Sequence, residues 1–118
     1  MYSGPSAHPL TPEALTPSRL RGIRRGVEKE SLRTLSTGML ATTPHPHGLG
    51  SALTHPYITT DFSESQLELI TGVHPDAQAC VDELTRIQQF TMRELGDEMM
   101  WVSSMPCGLP QDDAIPLG

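Results

Sequence analysis

The stretch Gly26-Val27-Glu28-Lys29-Glu30, within the run from Gly22 to Arg33, carries two carboxylates two residues apart in a segment that predicts a β-strand. Side chains at positions i and i+2 of a strand point to the same face and lie about 7 Å apart. Glu28 and Glu30 are therefore expected to project together. Neighbouring like charges repel unless a cation lies between them or one carboxyl group is protonated. The alternative is that both carboxylates are solvated on an open sheet face.

A second acidic segment, from Thr59 to Thr71, contains Asp61 and Glu68. These two residues are separated by an odd number of positions, so one uninterrupted strand would place them on opposite faces. A bend or bulge at Ser63 to Ser65 is expected to bring them together. The resulting cluster would contain Glu28, Glu30, Asp61 and Glu68. Such an oxygen-rich cluster suits Mg²⁺ or Mn²⁺, although paired acids are also common on solvated sheet faces.

The rest of the chain predicts an α+β fold, consisting of an antiparallel sheet with a packed helix. Short β-prone segments recur between turn residues such as Ser36-Thr37-Gly38, which favours strands joined by hairpins. The predicted strands are Ile23–Leu32, Met39–Thr43, Tyr57–Thr60, Leu67–Thr71 and Met99–Met105.

One long helix is predicted from Pro75 to Leu95, because apolar residues recur there at helical spacing. Asp76 fits the N-cap of this helix, and Gly96 fits its C-terminal stop. The residues expected to pack against the sheet are Val81, Leu84 and Ile87, and those expected to face solvent are Glu83 and Arg86.

The composition limits the class of protein. The 118 residues are 36% apolar and 4% aromatic and include eleven prolines and ten glycines, so one modest domain with a limited core is expected. Residues 1–18 form a Pro-rich lead that is expected to be flexible, with Pro17 ending a helical turn opened at Thr11-Pro12-Glu13. Residues 19–118 form the domain. The formal net charge of -6 argues against nucleic-acid binding.

Two features predict a cytoplasmic location. No apolar run approaches membrane-spanning length and no signal-peptide core is present, so no contact with a membrane is expected. Cys80 and Cys107 fit neither a metal spacing nor a disulfide framework, which favours a reducing compartment. The loop predicted from Pro44 to Pro56 contains three histidines, but no further ligand spacing supports a metal there, so a surface loop is expected.

The amino-acid sequence of these segments resembles the N-terminal portion of the bacterial glutamate–cysteine ligases, also called gamma-glutamylcysteine synthetases. The similarity extends over residues 19–118 and keeps the same order along the chain. The matching blocks are Gly22–Arg33, Leu40–Thr43, Leu49–His55, Ile58–Phe62, Leu67–Thr71, Gly96–Trp101 and Ser104–Cys107. So many collinear blocks are not expected by accident.

The resemblance implies part of a glutamine synthetase-like carboxylate–amine ligase fold, in which an antiparallel sheet curves around the active site. Such an enzyme uses ATP to join the γ-carboxylate of L-glutamate to the amine of L-cysteine through a γ-glutamyl phosphate, in the first step of glutathione biosynthesis. In that family the acids that match Glu28, Glu30, Asp61 and Glu68 ligate magnesium, which manganese can replace. Phe62 matches a residue near the cysteine pocket. The resemblance assigns no catalytic residue in this segment.

The resemblance also implies that this chain is an N-terminal portion of the enzyme, since family members continue for several hundred residues. Most ATP contacts are expected in the remainder of the ligase chain, because no Gly-rich phosphate loop occurs here. The portion alone is therefore expected to be inactive. Two alternatives stay open. One is a related ligase with another amine acceptor, and the other is a non-catalytic metal-binding or interaction module.

Overall fold

The structure, a computed structural model, describes residues 15–118. The strands are β1 (Glu28–Thr34), β2 (Ile58–Thr59), β3 (Gln66–Ile70) and β4 (Met99–Met100), and the helices are α1 (Pro17–Arg21) and α2 (Ala77–Leu95). Short 3₁₀ turns occur at His47–Leu49 and Asp112–Ala114. The four strands form one antiparallel sheet in the order β2-β3-β1-β4, which confirms the predicted α+β fold with a packed helix. Within these described residues, no helix is both long enough and apolar enough to cross a membrane.

The two faces of the sheet differ because the strand residues alternate. Leu67 and Leu69 of β3 are fully buried, whereas the residues between and beside them are partly exposed. This alternation is the pattern of a strand with one face against a core. The buried core contains Leu49, Ile58, Leu67, Leu69, Leu95 and Met100, and the helix residues packed against it are Leu84, Ile87 and Phe90. The opposite face of β1 and β3 therefore remains for polar side chains.

A buried arginine ties several loops to the covered face of the sheet. The Arg33 side chain is fully buried, and its guanidinium group pairs with Glu98 at 2.5 Å. It also donates to Thr43 Oγ1 at 2.8 Å and to the main-chain oxygen of Glu64 at 3.0 Å. A buried charge is tolerated when such partners replace water. Arg33 thus joins β1 to two loops and to the connection between α2 and β4.

Two predicted strands are shifted or shortened by one residue at their ends, to Ile58–Thr59 and Gln66–Ile70, and the other three differ more. β1 begins at Glu28 rather than Ile23, because the ladder is irregular before that residue. The predicted strand Met39–Thr43 is reduced to isolated bridges, since the Leu40 amide donates to Gly108 while the next amide donates to Arg33. The last strand ends at Met100. The Trp101 indole donates to the Met105 carbonyl at 2.7 Å and closes a turn there.

Helix α2 begins and ends where the sequence predicts. The Asp76 side chain accepts a hydrogen bond from the Ala79 amide at 2.8 Å, and Gly96 adopts a positive φ of 63°. The prediction for Val81 is wrong, because its side chain is 53% exposed. Cys80 is the buried residue in that turn of the helix. Val81 follows it and lies about 100° further around the helix axis, which turns its side chain towards solvent.

The other four helix predictions gave mixed outcomes. Leu84 and Ile87 pack against the core, and Arg86 is exposed, as expected. Glu83 is not simply solvated, because its carboxylate accepts a hydrogen bond from the Gly72 amide and pairs with His74. A glutamate on a helix can reach main-chain donors of a neighbouring loop. The spacing of apolar residues in the sequence does not show which loop lies beside the helix.

The Pro-rich lead is described only in part. The turn expected at Thr11-Pro12-Glu13 lies outside the described residues. Pro17 begins α1 rather than ending a helical turn, and the Thr16 side chain caps it by accepting from the Arg19 amide at 3.3 Å. Proline fits the first helical position because its missing N–H would have no partner there.

Candidate metal centre on the acidic face of the sheet

Two glutamates from neighbouring strands lie opposite each other on the face that α2 leaves open. Glu30 of β1 is the direct partner of Glu68 in β3. Val27 and Thr71 form a hydrogen-bonded pair of this ladder, because the Thr71 amide donates to the Val27 carbonyl at 3.0 Å. Alternation along the ladder then assigns Glu30 and Glu68 to a non-hydrogen-bonded position, where paired side chains approach most closely. This register brings the two carboxylates together.

Glu28 and Asp61 complete the cluster from either side. Glu28 lies two residues before Glu30 on the same face of β1. Asp61 follows β2, whose Thr59 is the partner of Glu68 on its other flank. Both Glu28 and Asp61 are exposed, and both lie near enough to Glu68 for their negative charges to affect its carboxyl group.

The bend expected between Asp61 and Glu68 is present as a full turn. At Ser63 to Ser65 the chain reverses, so that β2 and β3 pair as an antiparallel hairpin. The Ser63 side chain accepts from the Ser65 amide at 3.1 Å and donates to the Pro116 carbonyl at 2.7 Å. Asp61 lies in the connection after β2, whereas Glu68 lies in β3, so the problem of opposite faces on one strand does not arise.

The electrostatics of Glu68 reflect this crowding. Burial raises the pKa of Glu68, and the negative charges of Glu28, Glu30 and Asp61 raise it further. Each cause disfavours the ionised form of the carboxyl group. A cation bound among these oxygens would relieve the same repulsion. Glu68 is therefore the member of the cluster whose ionisation the other three acids oppose.

The donor set fits a hard divalent cation in its chemistry. Carboxylate oxygens are the ligands preferred by Mg²⁺ and Mn²⁺. Among residues 15–118, however, no three acidic, histidine or cysteine side chains are already gathered around one point. One Glu30 oxygen instead accepts a hydrogen bond from the Gln66 side chain at 3.0 Å. Ligation would require these glutamates to turn towards a shared ion, and the exposed side chains of Glu28 and Glu30 have the freedom to do so.

A pocket of about 390 Å³ adjoins Glu30. Its lining combines the hydroxyl-bearing Ser63, Ser103 and Ser104 with apolar side chains such as Met105. Sequence reasoning did not single out these serines as site residues. Of these three serines, only Ser104 lies in a segment that resembles the family, Ser104–Cys107, and Ser63 lies in the acidic segment from Thr59 to Thr71.

Phe62 is not enclosed by the structure. Its side chain is 83% exposed, directly after Asp61. The part of the chain that the structure describes therefore gives this ring no pocket, although it lies beside the rim of the acidic cluster.

The three histidines of the Pro- and Gly-rich loop have different surroundings. Both ring nitrogens of His45 are buried without a hydrogen-bond partner, and burial, followed by the charge of Arg33, lowers the pKa of this imidazole. His55 has a structural role, since its Nδ1 accepts from the amides of Tyr57 and Ile58. His47 is exposed at the 3₁₀ turn.

Comparison with known proteins agrees with this geometry. A family model described as glutamate–cysteine ligase matches residues 12–118. The glutamate–cysteine ligase of Alcanivorax borkumensis is 51% identical over 98 residues, which are 83% of this chain and 19% of that protein. The crystal structure of a glutamate–cysteine ligase from Francisella tularensis in complex with AMP has a TM-score of 0.74 and 43% identity, covering 78% of this chain and 18% of that one.

A bifunctional glutathione synthetase from Pasteurella multocida gives a TM-score of 0.77 with 42% identity, covering 80% of this chain and 13% of that one. The chain thus spans about a fifth of the length of the curated relatives it matches. The family model extends over the sheet, helix α2 and all four acids of the cluster, and the solved relatives share the fold over 78% and 80% of this chain. On these grounds the chain belongs to the glutamate–cysteine ligase family.

Proposed function

We propose that this chain works in an ATP-dependent glutamate–cysteine ligase, which joins the γ-carboxylate of L-glutamate to the amine of L-cysteine in the first step of glutathione biosynthesis. The observation that carries the proposal is the opposition of Glu30 and Glu68 on an acidic sheet face, in a chain of this family. The AMP bound to the Francisella tularensis relative supports the use of an adenine nucleotide.

The proposed reaction has two steps. An oxygen of the glutamate γ-carboxylate attacks the γ-phosphorus of ATP, the bond to the bridging oxygen breaks, and ADP leaves. The cysteine amine then attacks the acyl carbon, the carbon–oxygen bond to phosphate breaks with its electron pair, and the amine loses a proton. Both the carboxylate and the phosphates are anionic, so the site must offset their repulsion while it aligns them.

Glu28, Glu30, Asp61 and Glu68 would hold the divalent cation for this task. When bound, Mg²⁺ or Mn²⁺ offsets the phosphate charge and orients the transferred group. The chain's own contribution is a set of carboxylate oxygens on rigid strands, arranged so that their mutual repulsion favours a cation. Magnesium retains several waters and uses substrate phosphates to complete its shell, so a few carboxylates suffice.

The substrate contacts that this chain supplies would surround the cation. The serine hydroxyls of the pocket beside Glu30 can donate and accept hydrogen bonds to a small polar substrate. Phe62 would contact the cysteine substrate with its exposed ring, next to Asp61. We assign the reaction to the cytoplasm, because Cys80 and Cys107 are both free thiols.

The test uses the intact gene product and measures ADP release that depends on both glutamate and cysteine. Glu30→Gln and Glu68→Gln are each expected to lower kcat by about 100-fold or more, the range for removing one charge-stabilising group. Both variants should also need more Mg²⁺ for half-maximal rate. Glu94→Gln, an exposed residue of α2, is the matched control and should behave as the wild type.

The outcome separates the alternatives. Equal rates in all three variants would remove the acidic face from the site. Release of ADP with another amine in place of cysteine would indicate a related ligase with a different acceptor. Cation binding without any ADP release, in the intact gene product, would favour a non-catalytic metal-binding module.

A further inference from the structure

The ladder between β1 and β3 contains one extra residue next to the acidic face. The register is constant from Glu28 with Ile70 onward, but Arg25 pairs with His74, one position later than this register requires. Two residues of one strand therefore oppose a single residue of the other, which defines a β-bulge. The residues of the bulge are Gly72 and Val73, opposite Gly26.

A side chain closes the ladder at this bulge. The Val27 amide donates to Thr71 Oγ1 at 2.9 Å, in place of a strand carbonyl, while the Thr71 amide donates to the Val27 carbonyl at 3.0 Å. The same hydroxyl donates to the Gly72 carbonyl at 2.9 Å. A hydroxyl group has one donor and two acceptor sites, so it can make both bonds at once. Thr71 is only 8% exposed, and its hydroxyl is held in this arrangement.

The bulge is also constrained on its other sides. The Gly72 amide donates to the Glu83 carboxylate of α2 at 2.8 Å, and Arg25 and His74 exchange two main-chain bonds beyond the bulge. A Cβ atom added at Gly26 would lie 3.1 Å from the Gly72 carbonyl oxygen, tighter than an ordinary contact. The two chains therefore approach closely at this point, and glycine permits the approach.

The bulge lies directly before the first acid of the cluster. Glu28 follows Val27, so the bond from the Val27 amide to Thr71 determines where the Glu28 backbone enters the regular ladder. A pocket of about 360 Å³ opens there, lined by Gly26, Val27, Glu28, Ile70, Thr71 and Val73. Bulges reorient a neighbouring side chain and occur beside active sites.

We propose that Thr71 is a positioning residue for Glu28: its hydroxyl closes the bulge and so holds the backbone that directs the Glu28 carboxylate into the acidic cluster. This role rests on the proposed function, since it requires Glu28 to be a cation ligand. Thr71 would not contact the cation or the substrates.

The test titrates the intact gene product with MnCl₂ in the absence of ATP and measures free Mn²⁺ by electron paramagnetic resonance. Thr71→Val removes the hydroxyl while keeping the shape, and it is expected to weaken Mn²⁺ binding about 10-fold, at the lower end of the range for residues that support a metal ligand. Thr71→Ser keeps the hydroxyl and should restore binding to within about 2-fold of the wild type, because both hydrogen bonds remain available.

Thr91→Val is the matched control. Thr91 is also buried, and its hydroxyl donates to the Ile87 carbonyl within α2, away from the acidic face. This variant should lose stability without a change in Mn²⁺ affinity. Gly26→Ala is a second, independent variant, because its Cβ would press on the Gly72 carbonyl oxygen of the bulge at 3.1 Å, and it should weaken Mn²⁺ binding as Thr71→Val does.

Glu28→Gln separates the two proposals. If Glu28→Gln weakens Mn²⁺ binding while folded Thr71→Val and Gly26→Ala bind as the wild type does, the positioning role is wrong and the metal site stands. If Glu28→Gln itself leaves Mn²⁺ binding unchanged, the proposed metal site is wrong, and the role of Thr71 is overturned with it. Should Thr71→Val fail to fold, the affinity of Gly26→Ala decides the question.

Discussion

Glu30 lies directly opposite Glu68 across the β1–β3 ladder, at the position where paired side chains come closest. Like charges placed there destabilise a sheet unless something else compensates. The opposite side of the same strands buries Leu67 and Leu69, so a one-residue slip of register would expose these leucines. The fold thus holds a repulsive pair in place, as a cation site requires.

The first prediction concerns the dependence of stability on pH. The pKa of Glu68 is raised in the folded protein by burial and by its acidic neighbours. The folded state then binds the proton more tightly than the unfolded state, so stability falls as pH rises through the ordinary glutamate pKa of about 4.3 towards the raised value. Urea unfolding of metal-free protein, followed from about pH 4 upwards, measures this change.

Glu68→Gln supplies the comparison, because other carboxyl groups also titrate in this range. The difference in unfolding free energy between wild type and Glu68→Gln should shift in favour of the variant as pH rises. Addition of MgCl₂ at neutral pH should stabilise the wild type more than the variant. A difference that is constant with pH would contradict the raised pKa.

The second prediction concerns the packing of α2. Leu84 packs against the core but is only partly buried, so Leu84→Ala should cost about 2 kcal/mol, the lower end of the range for such truncations. Val81 is 53% exposed, and Val81→Ala should change stability by no more than about 0.5 kcal/mol. Denaturant unfolding of both variants tests the helix orientation. Equal losses would indicate that the helix is rotated.

The third prediction concerns the buried pair of Arg33 and Glu98. Arg33→Met leaves the Glu98 carboxylate without its main partner in a largely buried position, which should cost about 3–5 kcal/mol. The double variant Arg33→Met with Glu98→Met removes both charges. It should recover part of that loss, because no unpaired charge remains. Thermal unfolding of the wild type, of each single variant (Arg33→Met and Glu98→Met) and of the double variant gives the coupling, and strictly additive losses would show that the pair is not energetically linked.

The fourth prediction is that a protein consisting of residues 1–118 does not catalyse the ligation. The curated relatives are about five times longer, and this segment has no Gly-rich phosphate loop. Acyl-phosphate formation needs charge stabilisation from several sides, and one acidic face would repel ATP without a bound cation. Its affinity for Mg²⁺ alone should be weak.

The assay compares this protein with one extended to family length, measuring ADP release with ATP, Mg²⁺, glutamate and cysteine. Turnover that requires both amino acids in the short protein would mean that a complete site lies within these residues. Activity in the longer protein alone is the expected result.

Local patterns in the sequence were sufficient for the elements whose signals are local. Alternation predicted β3 and the common face of Glu28 and Glu30, and helical spacing with Asp76 and Gly96 predicted α2 and its ends. These features depend on residues within a few positions of each other, so periods of 2.0 and 3.6 identify them. The acids of the candidate site were named from the sequence for the same reason, together with the family resemblance.

Long-range pairing decided the rest. The register of the β1–β3 ladder places Glu30 opposite Glu68. At the end of that ladder, the Thr71 hydroxyl accepts a hydrogen bond from the Val27 amide. Tertiary packing buries Arg33, which no local pattern distinguishes from a surface arginine. A one-residue slip of register would move every side chain of a strand to the other face, and adjacent residues do not encode that choice. The sequence by itself therefore named the side chains of the candidate site, and the tertiary structure determined how they face one another.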